Sequence, residues 1–250
     1  MDKKYFEESE WPHDLLQQFG LSREMIEDLP SPALDDLTEG RRSPMLPILM
    51  TNKEGLQIKT HARFSFFRND NDSINVLFYP ELIEADLSRF DSQQQEDLKN
   101  GKTIQGDIEN KDGNMVRSYI QLDPDTKQVL SAPIAIIQSN MSGLFAKQQF
   151  TDTEENALQN GDTVTFLVDE DPVTIGIDLT DKCGLRILEG YELDWKRCTK
   201  QNFEKYNFGV YGCWTMDDDG NLDYTYEEDY SEEMWEEQKK AGQKAMGMHR

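Results

Sequence analysis

The chain has 250 residues and a net charge of −23, with 49 Asp and Glu against 26 Lys and Arg. That balance argues against sequence-independent DNA or RNA binding and against anionic membrane surfaces, which both call for Lys and Arg at the phosphates. Leu, Ile, Val and Phe supply 56 residues, just above the share typical of disordered chains, while 12 Phe, 9 Tyr and 4 Trp provide aromatic area for thin cores.

The N-terminal third predicts short helices and a hairpin. Trp11-Pro12 places proline where a first helical turn tolerates it, and Leu15, Leu16 and Phe19 form an apolar face ended by Gly20. Ser22 is placed to cap a second helix, and Ser31-Pro32 starts a third that runs through Leu34 and Leu37 to Gly40. After a Pro-interrupted stretch from Pro44 to Pro47, residues 62–67 and 74–79 read as strands joined by the turn Asn69-Asp70-Asn71-Asp72. Met1 to Glu8 holds no apolar run of the signal-peptide kind, and no window nears the roughly 20 apolar residues of a membrane span. The expected compartment is the cytoplasm.

The middle of the chain contains a duplication. Residues 90–104, from Phe90 through Leu98, Asn100-Gly101 and Thr103-Ile104, recur sixty positions later as Phe150, Leu158, Asn160-Gly161 and Thr163-Val164. Asp91 with Gln94, and Thr151 with Glu154, have the spacing of a helix cap and its reciprocal partner. Asn-Gly then ends the helix through a left-handed residue. A second strand follows in each copy, over 115–122 and 173–179. The segment 131–142 reads as an apolar linker between the copies. Leu37-x-x-Gly40 is a fainter echo of the same helix end. Two clear copies indicate duplication but are too few for a solenoid.

The last third carries Trp195, Phe203, Tyr206, Phe208, Tyr211 and Trp214, then eleven carboxylates and no Lys or Arg between Asp217 and Glu237. Asp219-Gly220 predicts a hairpin tip. Ser231 begins a terminal helix to about Lys244, acidic first and lysine-bearing later, as the helix dipole prefers. The expected fold class is α+β: short helices leading into small antiparallel sheets, with an internally duplicated unit and a C-terminal acidic helix. The expected domains are 1–85, 86–145, 146–216 and 217–250.

Several of these residues together resemble a known family. Trp11-Pro12, Gly20-Leu21-Ser22, Leu37-x-x-Gly40 and Ala62-Arg63-Phe64-Ser65 resemble an uncharacterised domain of Bacteroidota conjugative and other mobile elements. Gln94-Gln95-x-x-Leu98-x-x-Gly101-Lys102 is similar to the small repeated domain that often follows it. The resemblance spans about residues 10–190 and implies a bacterial cytoplasmic protein linked to mobile DNA, with no established biochemical activity.

Catalytic signatures do not surface. There is no phosphate-binding glycine loop, dinucleotide fingerprint or nucleophile elbow. His13, His61 and His249 are far apart, and Cys183, Cys198 and Cys213, spaced by fifteen, match no zinc pattern. They are expected to be reduced thiols. Asp123-Pro124-Asp125-Thr126 reads as a turn. Asp217, Asp219 and Asp223 fall at three positions of a calcium loop, but Thr215 and Tyr226 stand where its first ligand and its bidentate Glu belong. No catalytic, cofactor or metal residue is therefore expected.

The leading expectation is a non-catalytic interaction protein that binds a basic protein partner, with no direct nucleic-acid or membrane contact. Its candidate contact residues are Trp195, Tyr211, Trp214, Asp217, Asp218, Asp219, Asp223, Glu227, Glu228 and Asp229. The other readings are an acidic DNA mimic inhibiting a nucleic-acid-binding or defence enzyme, an element or phage structural protein, and an enzyme of unfamiliar type.

Overall fold

Pro12 and Gly20 bracket the first helix, α1 (His13–Gln17), and Gly20 adopts φ +83°. The Ser22 hydroxyl accepts from Met25 N at 3.2 Å and starts α2 (Arg23–Glu27). The third helix, α3 (Ser31–Thr38), begins one residue earlier than Ser31-Pro32 suggested, with Pro30 as its N-terminal flank, and ends before Gly40 at φ +75°. In this computed structural model residues 5–51, 54–145, 150–181, 183–197 and 203–247 are described.

Three antiparallel strands follow, β1 (Leu46–Thr51), β2 (Gln57–Arg68) and β3 (Ile74–Pro80), in that spatial order. The predicted hairpin is β2–β3, and its turn places Asp72 at φ +64°. β1 was hidden by Pro47 within it and Pro44 just before it. It is an edge strand, where a missing N–H is tolerated.

The duplicated segments form α4 (Ser92–Lys99) with β4 (Ile104–Glu109), β5 (Met115–Leu122) and β6 (Val129–Pro133), then α5 (Ile134–Phe145). The second copy is α6 (Asp152–Asn160) with β7 (Val164–Val168), β8 (Asp171–Ile177) and β9 (Leu185–Glu189), followed by α7 (Glu192–Arg197). Both capping boxes are formed: Gln94 N donates to Asp91 at 2.8 Å, and Glu154 N to Thr151 at 3.3 Å. Each copy is a helix leading into a three-stranded antiparallel meander. The third strands, β6 and β9, were not anticipated. The supposed linker 131–142 is the end of β6 and most of α5, whose Ile137 and Met141 are buried.

One face of each sheet packs on its own helix: Leu98 against Ile104 and Ile120, Leu158 against Val164 and Ile175. Strand alternation turns Tyr119 to the opposite face, where it joins the second copy's core. Its hydroxyl donates to Gln159 O at 2.6 Å, while Gln121 donates to Ile177 O at 2.8 Å and accepts from Leu179 N at 2.7 Å. The two copies therefore meet through an apolar contact rimmed by these hydrogen bonds.

Equivalent glycines separate local from stacking effects. Gly101 and Gly161 end the two helices at φ +75° and +98°, but only Gly161 lies against the other copy, where a Cβ would come 2.9 Å from Thr103 Cβ. Gly101→Ala is expected to cost about 1 kcal/mol for its left-handed backbone. Gly161→Ala should cost clearly more, as read by urea unfolding. Equal losses would mean that the stacking contact is not as described.

The chain closes with β10 (Tyr206–Phe208), β11 (Gly212–Met216), β12 (Leu222–Tyr226) and the long helix α8 (Glu232–Gly247). The predicted hairpin tip is the β11–β12 turn, with Gly220 at φ +87°. The terminal helix is capped by Ser231, whose hydroxyl accepts from Met234 N at 3.3 Å.

Two compact units result. Glu81–Lys200 forms one, and Met1–Pro80 with Gln201–Arg250 forms the other. Residues 203–216, expected to finish the second repeat, instead complete the N-terminal core. There Phe203, Trp214 and Leu222 join Trp11, Leu16, Ile26, Leu37, Phe64 and Phe66. Hydrophobic burial explains the exchange, since the predicted face of α1–α3 and β2 needs a cover that three short helices cannot supply. Among the described residues no helix is long and apolar enough to cross a membrane.

Candidate interaction surface

Asp28 anchors the C-terminal sheet. It follows α2 and is only 5% exposed. One carboxylate oxygen accepts from Val210 N at 2.6 Å, and the other from Tyr211 N at 2.9 Å, Gly212 N at 2.8 Å and the Tyr224 hydroxyl. Three successive backbone N–H groups thus form a nest for one carboxylate. Gly209 passes so close that a Cβ there would collide with the Asp28 carboxyl group. Burial first, and then the bond to Asp28, push the Tyr224 hydroxyl well above its ordinary range. Trp214 secures the same junction, with its indole N–H donating to Met25 O at 2.9 Å.

With their amides turned inward, Val210 and Tyr211 present their side chains outward at the β10–β11 turn, 80% and 44% exposed. An aromatic strip continues across the outer face. The Tyr206 and Phe208 rings stack at 6.0 Å, Phe208 meets Tyr230 edge-on at 5.9 Å, and Tyr230 meets Trp235 at 5.1 Å. α8 borders the strip. Its Glu233 accepts from the Tyr206 hydroxyl at 2.7 Å and from Lys205 at 3.2 Å, and these donors hold its carboxyl below the usual range.

The predicted contact residues divide into three groups. Tyr211, Asp217, Asp218, Asp219, Asp223, Glu227, Glu228 and Asp229 are all exposed on the C-terminal sheet and its turns. Asp217 accepts from Asn221 N at 2.8 Å within the hairpin turn, and Asp223 meets His61 Nε2 at 3.3 Å. Trp214 is fully buried, a core residue rather than a contact residue. Trp195 belongs to the other unit, buried on α7 beneath the Arg186 guanidinium 3.9 Å from its ring, where Gly176 leaves room for it. Sequence reasoning missed Asp28, Val210, Tyr230 and Trp235. The exposed Val-Tyr pair between two glycines was the available signal for the turn; Asp28 had none, because its partners lie more than 180 positions away.

The remaining candidates have structural roles. Asp123 is buried and accepts from Asp125 N at 3.1 Å and Thr126 Oγ1 at 2.8 Å, which builds the expected turn. Cys183 is exposed and Cys213 buried, both as free thiols, while Cys198 and His249 lie outside the described residues. Among the described residues no group of three or more His, Cys, Asp or Glu is placed to hold a metal ion.

Burial pushes the Cys213 thiol up to about 11. An unfolded thiol ionises near about 8.5. The buried neutral thiol therefore contributes stability that is complete below that value and declines as pH climbs toward about 11. Cys213→Ala is expected to flatten this alkaline decline in urea-unfolding free energy. An unchanged slope would show that Cys213 ionises as freely in the folded protein as in the unfolded one.

The fold and surface define an α+β scaffold of repeated three-stranded meanders, with an acidic, aromatic face on the discontinuous unit. Residues 6–89, about a third of the chain, match a family described as a protein of unknown function, DUF4099. No curated protein and no solved structure matches the chain.

Proposed function

We propose that this chain is a non-catalytic interaction protein of the bacterial cytoplasm, associated with mobile DNA, that binds a basic protein partner through its C-terminal acidic and aromatic surface. The observation that carries this reading is the set of exposed Val210, Tyr211 and Trp235 together with the partly exposed rings of Tyr206 and Phe208. Residues 206–211 are followed in sequence by a stretch with eleven carboxylates and no Lys or Arg between Asp217 and Glu237, on a sheet held rigidly by Asp28 and Trp214. Rings give contact area at low entropic cost, and surrounding carboxylates accelerate encounter with a cation-rich surface. The mobile-element setting draws on the resemblance of residues 10–190.

The test compares the full chain with a surface variant carrying Val210→Ser, Tyr211→Ser, Glu227→Gln, Glu228→Gln and Asp229→Asn, all at exposed positions. Both are used as bait in nuclease-treated bacterial lysate. The expected result is a basic protein held stoichiometrically by the natural sequence, released by salt and not held by the variant. Equal capture by both baits would overturn the assignment of this surface. Competition by duplex DNA for the same partner would favour DNA mimicry instead.

A further inference from the structure

The outer edge of β10 gives the proposed surface a directional backbone element. Met216 N donates to Lys205 O at 2.9 Å and Gly209 N to Gly212 O at 2.8 Å, so Lys205, Asn207 and Gly209 bond inward to β11. Antiparallel alternation then turns the N–H and C=O groups of Tyr206 and Phe208 away from the sheet. β10 is the edge of its sheet, and among the described residues none pairs with those four groups.

We infer that this edge accepts an extended, Lys- or Arg-rich segment of the partner as a fourth strand. The inference rests on the docking reading above and specifies its partner. The stacked Tyr206 and Phe208 rings lie beside this edge, partly exposed, and Lys205 Nζ already stands 4.9 Å from the Tyr206 ring centroid, which shows that a cation suits the place. Glu204 is exposed two residues before Tyr206, Glu233 accepts from the Tyr206 hydroxyl, and Lys205, between Glu204 and Tyr206 in sequence, is already engaged by Glu233. A second copy of so acidic a chain would be repelled from this edge. Backbone pairing would supply affinity and the carboxylates selectivity, as in strand addition generally.

The test uses the full nitrogen-labelled chain and a capped peptide alternating Arg with Val. Addition of the peptide is expected to slow amide exchange at Tyr206 and Phe208. Phe208→Pro, which removes an outward N–H that pairs with none of the described residues, should bind about tenfold more weakly than Phe208→Ala, which removes only the ring. Protection of Cys213 from alkylation verifies that each variant remains folded.

Saturable binding with exchange unchanged at both amides, and Phe208→Pro no worse than Phe208→Ala, would overturn strand addition and leave side-chain docking standing. No saturable binding would overturn it too. Capture of a folded basic partner by the natural bait alone would then still support the broader reading.

Discussion

Asp28→Ala is expected to destabilise the discontinuous unit by about 3–5 kcal/mol, while the unfolding of 81–200 stays unchanged. The change removes the shared acceptor of three backbone N–H groups and one phenol in a site only 5% exposed. Each stranded donor carries a penalty of ~1–3 kcal/mol, but the β10–β11 turn can relax toward water, so the sum is not reached. Breaking a buried charged site from one side costs a similar amount. Asp28→Asn retains one acceptor oxygen and should lose less. The measurement is urea unfolding followed by tryptophan fluorescence in a Trp195→Phe background, which leaves tryptophans only in the discontinuous unit, with amide exchange to separate the units. A loss below about 1 kcal/mol for Asp28→Ala would mean that the carboxylate is not the anchor of this sheet.

A larger effect is expected from ending the chain after Met216. Residues 1–80 would be intact in sequence, yet the truncated protein is expected to lose protection throughout α1–α3 and β2. Leu222 is fully buried in their common core, Leu222 N donates to Met45 O at 2.9 Å, and Tyr224 packs against Trp214 with ring centroids 5.0 Å apart. Loss of a buried Leu alone costs about 2–5 kcal/mol, and a domain's whole stability is ~5–15 kcal/mol. Amide exchange or limited proteolysis reads the result. If α2 and β2 remained protected as in the full chain, the mixed core would be wrong. The same expectation makes surface substitution, rather than deletion of the acidic segment, the sound way to test partner binding.

How much could be read from sequence follows the range of the interactions involved. Ser22, Asp91 and Thr151 form caps with residues three positions on, so those helices were visible, as was the exact sixty-residue offset of Leu98 and Leu158. The β2–β3 and β11–β12 hairpins announced themselves through Asn69–Asp72 and Asp219-Gly220. β1 was concealed by Pro44 and Pro47 around its start, which an edge strand tolerates, and α5 by being read as a linker although Ile134, Ile137, Met141, Leu144 and Phe145 recur at helical spacing. The joining of the first eighty residues to the C-terminal sheet was not legible for a different reason. Asp28 with Val210, and Trp214 with Met25, are pairings across more than 180 positions, and no local pattern encodes them. An aromatic cluster flanked by acids reads the same whether it lies outside, like Tyr211, or inside, like Trp214.

The interrupted unit also constrains the order in which the chain matures during synthesis. Residues 81–200 emerge as one continuous piece and can fold as soon as they leave the ribosome. The first eighty residues wait with Leu16, Ile26 and Phe64 uncovered until Trp214 and Leu222 have been made. Long-range closure of this kind slows folding and leaves apolar surface open to aggregation in the interval. A nascent chain stalled before residue 203 would thus carry a finished middle and an unfinished beginning. Such a chain is a natural client for chaperones.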